Sequence, residues 1–145
     1  MHQKETMIWK TPPTIEAIND MGKHSMSQHL GIEFTEVGDD YISARMPVDE
    51  RTQQPFGLLH GGASCVLAET LGSVCGAMCV DHQVQMVVGL EINANHLRAV
   101  KSGYVYGTSR PIHIGRSTHV WDIRISNEKG EPVCVSRLTL AVRNI

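Results

Sequence analysis

The feature that most constrains this chain is an apolar segment of 18 residues, Ala63 to Val80, whose single charged residue is Glu69. Its length is near the lower limit for a membrane-spanning helix. It also contains glycine, serine and threonine, and no second apolar segment follows it. A helix that is apolar on all sides is otherwise buried inside a protein. The segment therefore predicts a central helix surrounded by other elements of the same fold.

The sequence on both sides of this helix predicts two short helices and six strands. Thr14 is expected to cap the first helix, and Gly31 is expected to end the second. Alternating apolar residues give several strands one buried face. The predicted helices cover 14–21 and 25–30, and the predicted strands cover 32–37, 41–48, 86–97, 103–112, 118–126 and 133–142. The residues expected on the buried faces are Ile42, Ala44, Met46 and Val48, then Val88, Leu90, Ile92 and Ala94, and then His119, Trp121, Ile123 and Ile125.

This order of elements predicts an α+β fold in which one curved antiparallel sheet wraps the long helix. A length of 145 residues fits one domain, with residues 1–30 as short helices and an N-terminal extension. Such a sheet has two free edges and one exposed face. We therefore expect a homo-oligomer that joins sheet edges or stacks sheets.

Composition excludes several classes of function. The net charge is -2 with no block of like charges, which predicts neither nucleic-acid nor membrane binding. The four cysteines match no zinc or disulfide pattern, so we expect buried free thiols in a reducing cytoplasm. No signal peptide is visible in residues 1–10. The eight histidines show no metal-binding spacing, so we expect no metal and no cofactor.

The segment Gln54 to Ser73 contains the residues most suited to chemistry. Gly61 and Gly62 stand where the long helix begins, and the free N–H groups of a helix N-terminus suit an oxyanion or a polarised carbonyl. Glu69 lies two helical turns further on, and burying it without a partner would cost several kcal/mol. It is therefore a catalytic carboxylate, or it has a structural partner. The structural alternative is a subunit interface or an ion pair with Arg98, Arg116 or Arg137.

Three runs of sequence carry a resemblance to a known family. They are VDERTQQPFGLLHGGASCVLAETLGS, VVGLEINANHLRAV and PIHIGRSTHVW. They closely resemble bacterial hotdog-fold acyl-CoA thioesterases of the menaquinone and enterobactin branches. Members of that family hydrolyse 1,4-dihydroxy-2-naphthoyl-CoA or release misacylated carrier protein. The resemblance implies a hotdog fold and hydrolysis of an aromatic acyl-CoA, such as 1,4-dihydroxy-2-naphthoyl-CoA or benzoyl-CoA, to the free acid and CoA.

The resemblance also implies roles for individual residues. Glu69 is expected to act as general base or nucleophile, and Gln54 to position the thioester or the attacking water. His60 is expected beside the thioester, where the N–H of Gly61 polarises the carbonyl. Further substrate-binding residues are expected to be Gly62, Thr70, Ser73 and His96, with Arg98, His113 and Arg116 near the phosphates of CoA. Glu69 is expected to reach its site across a subunit boundary, so the active unit is at least a dimer and is expected to be a tetramer formed as a dimer of dimers.

Three alternative functions remain open at this stage. One is a proofreading thioesterase that acts on an acylated carrier protein. Another is a 3-hydroxyacyl thioester dehydratase, although that chemistry in hotdog relatives uses a His–Asp or His–Glu pair in a different layout. The third is a non-catalytic acyl-CoA-binding protein, which would need no carboxylate in the central helix.

Overall fold

The computed structural model describes residues 7–145, and residues 1–6 of the predicted N-terminal extension lie outside the described residues. Two short helices come first, α1 (Ile15–Met21) and α2 (Met26–His29). The Thr14 side chain caps α1 by accepting a hydrogen bond from the Ala17 N–H at 3.2 Å. Gly31 follows α2 with φ +74°, a backbone conformation that favours glycine. Both predicted helix boundaries are therefore confirmed.

Six strands form one sheet around a single long helix. The helix is α3 (Gly61–Met78), and the strands are β1 (Glu33–Val37), β2 (Ile42–Pro47), β3 (Gln85–His96), β4 (Tyr104–Ile114), β5 (Thr118–Ser126) and β6 (Pro132–Asn144). The strand order is β1-β2-β4-β5-β6-β3, and every neighbouring pair is antiparallel. This is the hotdog fold that the resemblance implied. β1 and β3 form the two edges of the sheet.

The core lies between α3 and the inner face of the sheet. Leu67, Leu71 and Cys75 of α3 are fully buried. The predicted inner face of β5 is confirmed, since His119, Trp121, Ile123 and Ile125 are each at most 1% exposed. The prediction that α3 is buried on all sides is wrong. Val66, Glu69, Thr70 and Ser73 form a side that the sheet leaves partly or fully exposed. Between residues 7 and 145, no helix has the length and hydropathy needed to cross a bilayer.

The predicted buried face of β3 is also partly wrong. Ile92 and Ala94 pack against the core as expected, but Val88 is 36% exposed and Leu90 is 56% exposed. The reason is a β-bulge: Gly89 pairs with Leu140 and Glu91 pairs with Thr139, which leaves Leu90 as an extra residue. A bulge of one residue reverses which side chains face the core. Val87 therefore packs inward on the other side of the bulge.

Candidate active site

A cleft of about 420 Å³ lies at the N-terminus of α3. We call it the α3 cleft, and its lining includes Gln54, Gly61, Ser64, His96 and Arg98. These residues come from the loop before α3, from the first turn of α3 and from the end of β3. The fold thus brings together four of the predicted site residues, and it adds the buried Ser64, which the sequence analysis missed.

The first turn of α3 offers one free backbone donor to the α3 cleft. The N–H of Gly62 donates to Nδ1 of His60 at 2.7 Å, so the predicted substrate-binding residue Gly62 has no N–H to spare. The N–H of Gly61 has no hydrogen-bond partner in the range 7–145. It lies at the positive end of the helix dipole. Of the two glycines, Gly61 is therefore the one placed to polarise a carbonyl oxygen.

Two side chains beside Gly61 also present donors. Oε1 of Gln54 accepts from the Phe56 N–H at 2.6 Å and from the Leu58 N–H at 3.4 Å. These bonds identify Oε1 as the acceptor, so the amide NH₂ of Gln54 is left as a donor. Nδ1 of His60 accepts from Gly62, so the ring proton of His60 is on Nε2. Gln54 lines the α3 cleft, whereas His60 is not among its lining residues.

His96 and Arg98 follow one another at the end of β3. A Cβ atom added at Gly61 would lie 2.8 Å from Nε2 of His96, so the His96 ring packs directly over the helix start. Arg98 lines the α3 cleft, and its Nη1 lies 3.2 Å from Oε2 of Glu131. Both partners of that ion pair are about half exposed. Arg98 therefore pairs with Glu131 and not with Glu69.

Glu69 lies on the exposed side of α3, with the partly buried Thr70 and Ser73 beside it. Within residues 7–145 it forms no hydrogen bond or ion pair, so the alternative of an intrachain pair with an arginine is not realised. Its Oε1 lies 2.7 Å from the position that a Cβ at Gly89 would occupy. Gly89 was not predicted from the sequence, although an isolated glycine in a strand can signal a close approach.

The carboxylate of Glu69 and the free N–H of Gly61 are far apart in one chain. Eight residues separate them on α3, which corresponds to about 12 Å along the helix axis. Their neighbours on β3, Gly89 and His96, are about 20 Å apart at the usual strand rise. Both groups cannot contact one thioester carbonyl from within the same chain.

His113 and Arg116 also lie away from the α3 cleft. They are exposed residues at the end of β4 and in the turn before β5. His119, next to this turn, packs against Gly76, where an added Cβ would lie 3.2 Å from its Nδ1. Gly76 is 15 residues beyond Gly61, about 22 Å along α3. The single chain does not bring His113 and Arg116 to the other predicted substrate-binding residues.

No cysteine is suited to act as the nucleophile. All four thiols are free, and burial raises the pKa of each of them. The half-buried Cys65, one helical turn before Glu69, has its pKa raised by burial and then by the Glu69 carboxylate. The pKa is raised to about 12 for Cys75 and Cys79 and to about 11 for Cys134. Neutral thiols are weak nucleophiles, which leaves Glu69 as the better candidate.

The part of the chain that the structure describes contains no cluster of three or more histidine, cysteine or acidic side chains placed to hold a metal ion.

Comparisons with known proteins agree on one family. The sequence model of the thioesterase superfamily matches residues 56–134. The chain is 55% identical over 136 residues to 1,4-dihydroxy-2-naphthoyl-CoA hydrolase of Escherichia coli, covering 94% of this chain and 99% of that protein. It is 53% identical over 136 residues to the proofreading thioesterase EntH of Cronobacter turicensis, covering 94% and 98%.

Among solved structures, a glutamine-to-alanine variant of a thioesterase from Pseudomonas aeruginosa superimposes with a TM-score of 0.94. It is 52% identical, and the match covers 95% of this chain and 99% of that one. The match of fold and sequence extends over nearly the whole chain. The chain therefore belongs to the thioesterase superfamily and is a thioester hydrolase.

Proposed function

We propose that this chain hydrolyses an aromatic acyl-CoA to the free acid and CoA, with Glu69 as general base or nucleophile. The observation that carries the proposal is the free N–H of Gly61 at the start of α3, combined with an exposed and unpaired Glu69 on the same helix. The first group stabilises negative charge, and the second attacks or activates water. Thioester hydrolysis requires both.

The donors of the α3 cleft suit the carbonyl end of a thioester. Gly61 and Gln54 line the cleft and present N–H donors, and the lining residues include no carboxylate. We place Nε2 of His60, the residue before Gly61, as a further donor beside the cleft. Such an environment favours an oxyanion and offers no carboxylate to deprotonate water. We assign the base to Glu69 of a second copy, because Glu69 of the same chain is about 12 Å away.

The chemical steps balance in either role of Glu69. As a base, Glu69 takes a proton from water while the water oxygen bonds to the carbonyl carbon, and Gly61 stabilises the oxyanion. When the carbonyl re-forms, the C–S bond breaks and the CoA thiolate receives the proton. As a nucleophile, Glu69 forms an anhydride with the acyl group and expels the CoA thiolate. Water then adds to the acyl carbon, the bond from this carbon to the Glu69 oxygen breaks, the carboxylate is regenerated, and the proton of the water goes to the thiolate.

A homo-oligomer follows from this assignment, with a dimer as the minimal active unit, and we propose that two dimers assemble into a tetramer. The free edge of β3 supports it, since β3 has 12 residues and pairs within the chain only with β6. Met86, Val88 and Leu90 are exposed apolar residues on this edge strand. Long apolar edge strands are usually covered by another chain. In the proposed oligomer, His113 and Arg116 of a second copy approach the CoA phosphates. We place this oligomer in the cytoplasm.

The aromatic acyl group and the CoA carrier rest on the relatives. The Escherichia coli relative is named for an aromatic acyl-CoA substrate. The Cronobacter relative, named as a proofreading thioesterase, is almost equally similar, which keeps hydrolysis of an acylated carrier protein as the second candidate. Free-thiol release from benzoyl-, dihydroxynaphthoyl- and straight-chain acyl-CoAs and from an aroylated carrier protein separates the two. A higher kcat/KM for the carrier protein than for every CoA ester would select the second candidate.

The central test is the variant Glu69→Gln, which keeps the size of the side chain and removes its charge. We expect hydrolysis of benzoyl-CoA to be lost while the oligomer and its Tm are retained, because Glu69 is exposed and makes no hydrogen bond within residues 7–145. The matched control is Glu16→Gln, at an exposed glutamate of α1 that likewise makes no hydrogen bond or ion pair within residues 7–145. Near-normal turnover by Glu69→Gln would overturn the assignment.

A further inference from the structure

We propose that Gly89 is a positioning residue for Glu69: its missing side chain leaves the space in which the Glu69 carboxylate lies. The proposal rests on the function proposed above, because it concerns the placement of the same carboxylate. It assigns a role to a strand residue that no substrate-binding prediction included. The role is exerted through Glu69 and not through contact with the substrate.

The space beside Gly89 is filled by one group. A Cβ at position 89 would lie 2.7 Å from Oε1 of Glu69 and 3.8 Å from its Cδ. Apart from chain neighbours, no other described heavy atom lies within 4 Å of that position. A separation of 2.7 Å is shorter than the usual contact between carbon and oxygen atoms, so any side chain at 89 must displace the carboxylate.

The backbone does not require glycine at position 89. The glycines with positive φ in the described chain are Gly31, Gly57, Gly103 and Gly130, and Gly89 is not one of them. An alanine at 89 would therefore adopt the strand conformation without strain. What excludes a side chain is the Glu69 carboxylate alone.

Gly89 also differs from the glycines that serve the core. A Cβ at Gly72 would meet Leu138, and one at Gly107 would meet Leu71. Those glycines let buried apolar side chains approach the backbone. At Gly89 the neighbour is an exposed carboxylate, whose flexible end can move into solvent when it is displaced. Filling the space at 89 should therefore change the position of the carboxylate and leave the stability of the core unchanged.

A β-bulge next to Gly89 in β3 supports the positioning role of this residue. The β-bulge of β3 begins directly after Gly89, with Leu90 as the extra residue. Bulges are frequent beside active sites, where they redirect side chains. The bulge here turns Leu90 outward and leaves Gly89 opposite Leu140, under the carboxylate of Glu69. Since β3 is an edge strand, the carboxylate lies where a second copy can reach it.

The test is a series of variants at position 89, Gly89→Ala and Gly89→Val, assayed with benzoyl-CoA. A shift of about 1 Å in a reacting group can cost about 100-fold in rate. We expect kcat to fall about 10- to 100-fold for Gly89→Ala and further for Gly89→Val. KM should change little, because the displaced group acts in the transition state. For Gly89→Ala, Tm should stay within about 2 °C of wild type, as for surface substitutions.

A double-mutant cycle separates positioning from a general effect of the added side chain. In Glu69→Asp the carboxylate is one methylene further back, about 1.5 Å from its original place. Adding Gly89→Ala in that background should lower kcat by less than about 3-fold, since the contact is already gone. Gly22→Ala serves as a control remote from Glu69. An added Cβ there meets nothing closer than 3.5 Å, so kcat and Tm should be unchanged.

The outcomes distinguish this proposal from the proposed function. Unchanged kcat in both Gly89 variants, with Glu69→Gln inactive, would overturn the positioning role and leave the function intact. A loss of kcat that follows a loss of Tm or of the oligomer would also overturn it, as would equal losses in both backgrounds of the cycle. If Glu69→Asp has no measurable activity, the decrease from glycine to alanine to valine at constant KM decides the question. An active Glu69→Gln would instead overturn the proposed function itself.

Discussion

The distance between Gly61 and Glu69 leads to a prediction about oligomers that contain two different inactive chains. A carbonyl whose oxygen is bound at about 3 Å and whose carbon is attacked from about 3 Å spans about 7 Å between donor and attacking group. The two residues are about 12 Å apart along α3. We therefore predict that each site takes Gly61 from one copy and Glu69 from another.

Two variants remove one half of the site each. Glu69→Gln removes the carboxylate, and Gly61→Pro removes the free N–H. Proline is well accepted at the first position of a helix. His60 precedes it with φ -71° and ψ 131°, the extended conformation that a residue before proline adopts. Gly61→Ala is the matched control, because it adds a Cβ toward His96 and keeps the N–H. We expect Gly61→Pro to be about 100- to 1000-fold slower than Gly61→Ala.

The expected magnitude follows from counting sites. When equal amounts of Glu69→Gln and Gly61→Pro chains are unfolded and reassembled together, half of the dimers contain one chain of each kind. In a mixed dimer, one site carries both substitutions and the other carries neither. About one quarter of all sites, and so about one quarter of the wild-type activity, should return from two nearly inactive preparations. The assay is thiol release from benzoyl-CoA before and after mixing.

The opposite arrangement gives a clearly different result. If Gly61 and Glu69 served the same site from within one chain, every site in the mixture would carry a substitution. The activity would then remain at the average of the two separate preparations. Affinity tags on the two chains show whether mixed oligomers have formed. Mixed oligomers without recovered activity would refute the assignment of Glu69 to a neighbouring copy.

Three further predictions concern the donors, metal dependence and pH. Gln54→Ala and His60→Ala should each lower kcat/KM with benzoyl-CoA about 10- to 1000-fold, and an unchanged value would remove that residue from the site. Wild-type activity should persist in a strong chelator, and its loss would contradict hydrolysis without a metal. Burial and the nearby His113 lower the pKa of His119, whose Nδ1 has no hydrogen-bond partner within residues 7–145. The unfolded chain therefore binds a proton at His119 more readily than the folded chain does. The free energy of unfolding keeps its full value above about pH 6.5 and falls as the pH falls toward the folded pKa, by up to about 1.4 kcal/mol per pH unit. His119→Phe should reduce the fall of Tm with falling pH, and the exposed control His82→Phe should not. Equal slopes of Tm against pH in both variants and wild type would show that His119 is not responsible.

Much of the fold was predictable because its helices and strands are indicated by patterns among residues that are close in sequence. The apolar segment with one charge indicated a central helix, and the alternation around Trp121 indicated a strand with one buried face. Thr14 and Gly31 marked helix ends through side-chain capping and backbone conformation, which depend on neighbours in sequence. These features need no knowledge of how distant segments meet.

The errors arose where distant segments decide the structure. The run Val88, Leu90, Ile92 and Ala94 alternates without interruption, so nothing in its pattern reveals the bulge after Gly89. That bulge depends on pairing with β6, which lies more than 40 residues away. The exposed side of α3 was unpredictable for the same reason, since the strands that cover the other sides of the helix come from distant parts of the sequence.

The sequence indicated candidate residues for the site, but it did not show which of them lie together in the folded chain. Gln54, Gly61, His96 and Arg98 meet at the α3 cleft, whereas His113 and Arg116 lie near the far end of α3. The loss of Gly62 as a donor required the conformation of His60, which accepts its N–H. The space between Glu69 and Gly89 required the register of β3. Such contacts depend on side-chain direction, which a linear pattern does not contain.

The placement of Gly61 and Glu69 on one uninterrupted helix constrains how the length of this chain can vary. An insertion of one residue between them would place Glu69 at the position that Thr70 now occupies, turned by about 100° around the helix axis and away from Gly89. A deletion would place it at the position of the fully buried Ala68. Insertions and deletions should therefore be tolerated in the connections between elements, such as residues 79–84, and rejected between 61 and 69. In the proposed site, the offset of eight positions from Gly61 to Glu69 along α3 fixes both the distance between the two groups and the direction in which the carboxylate points.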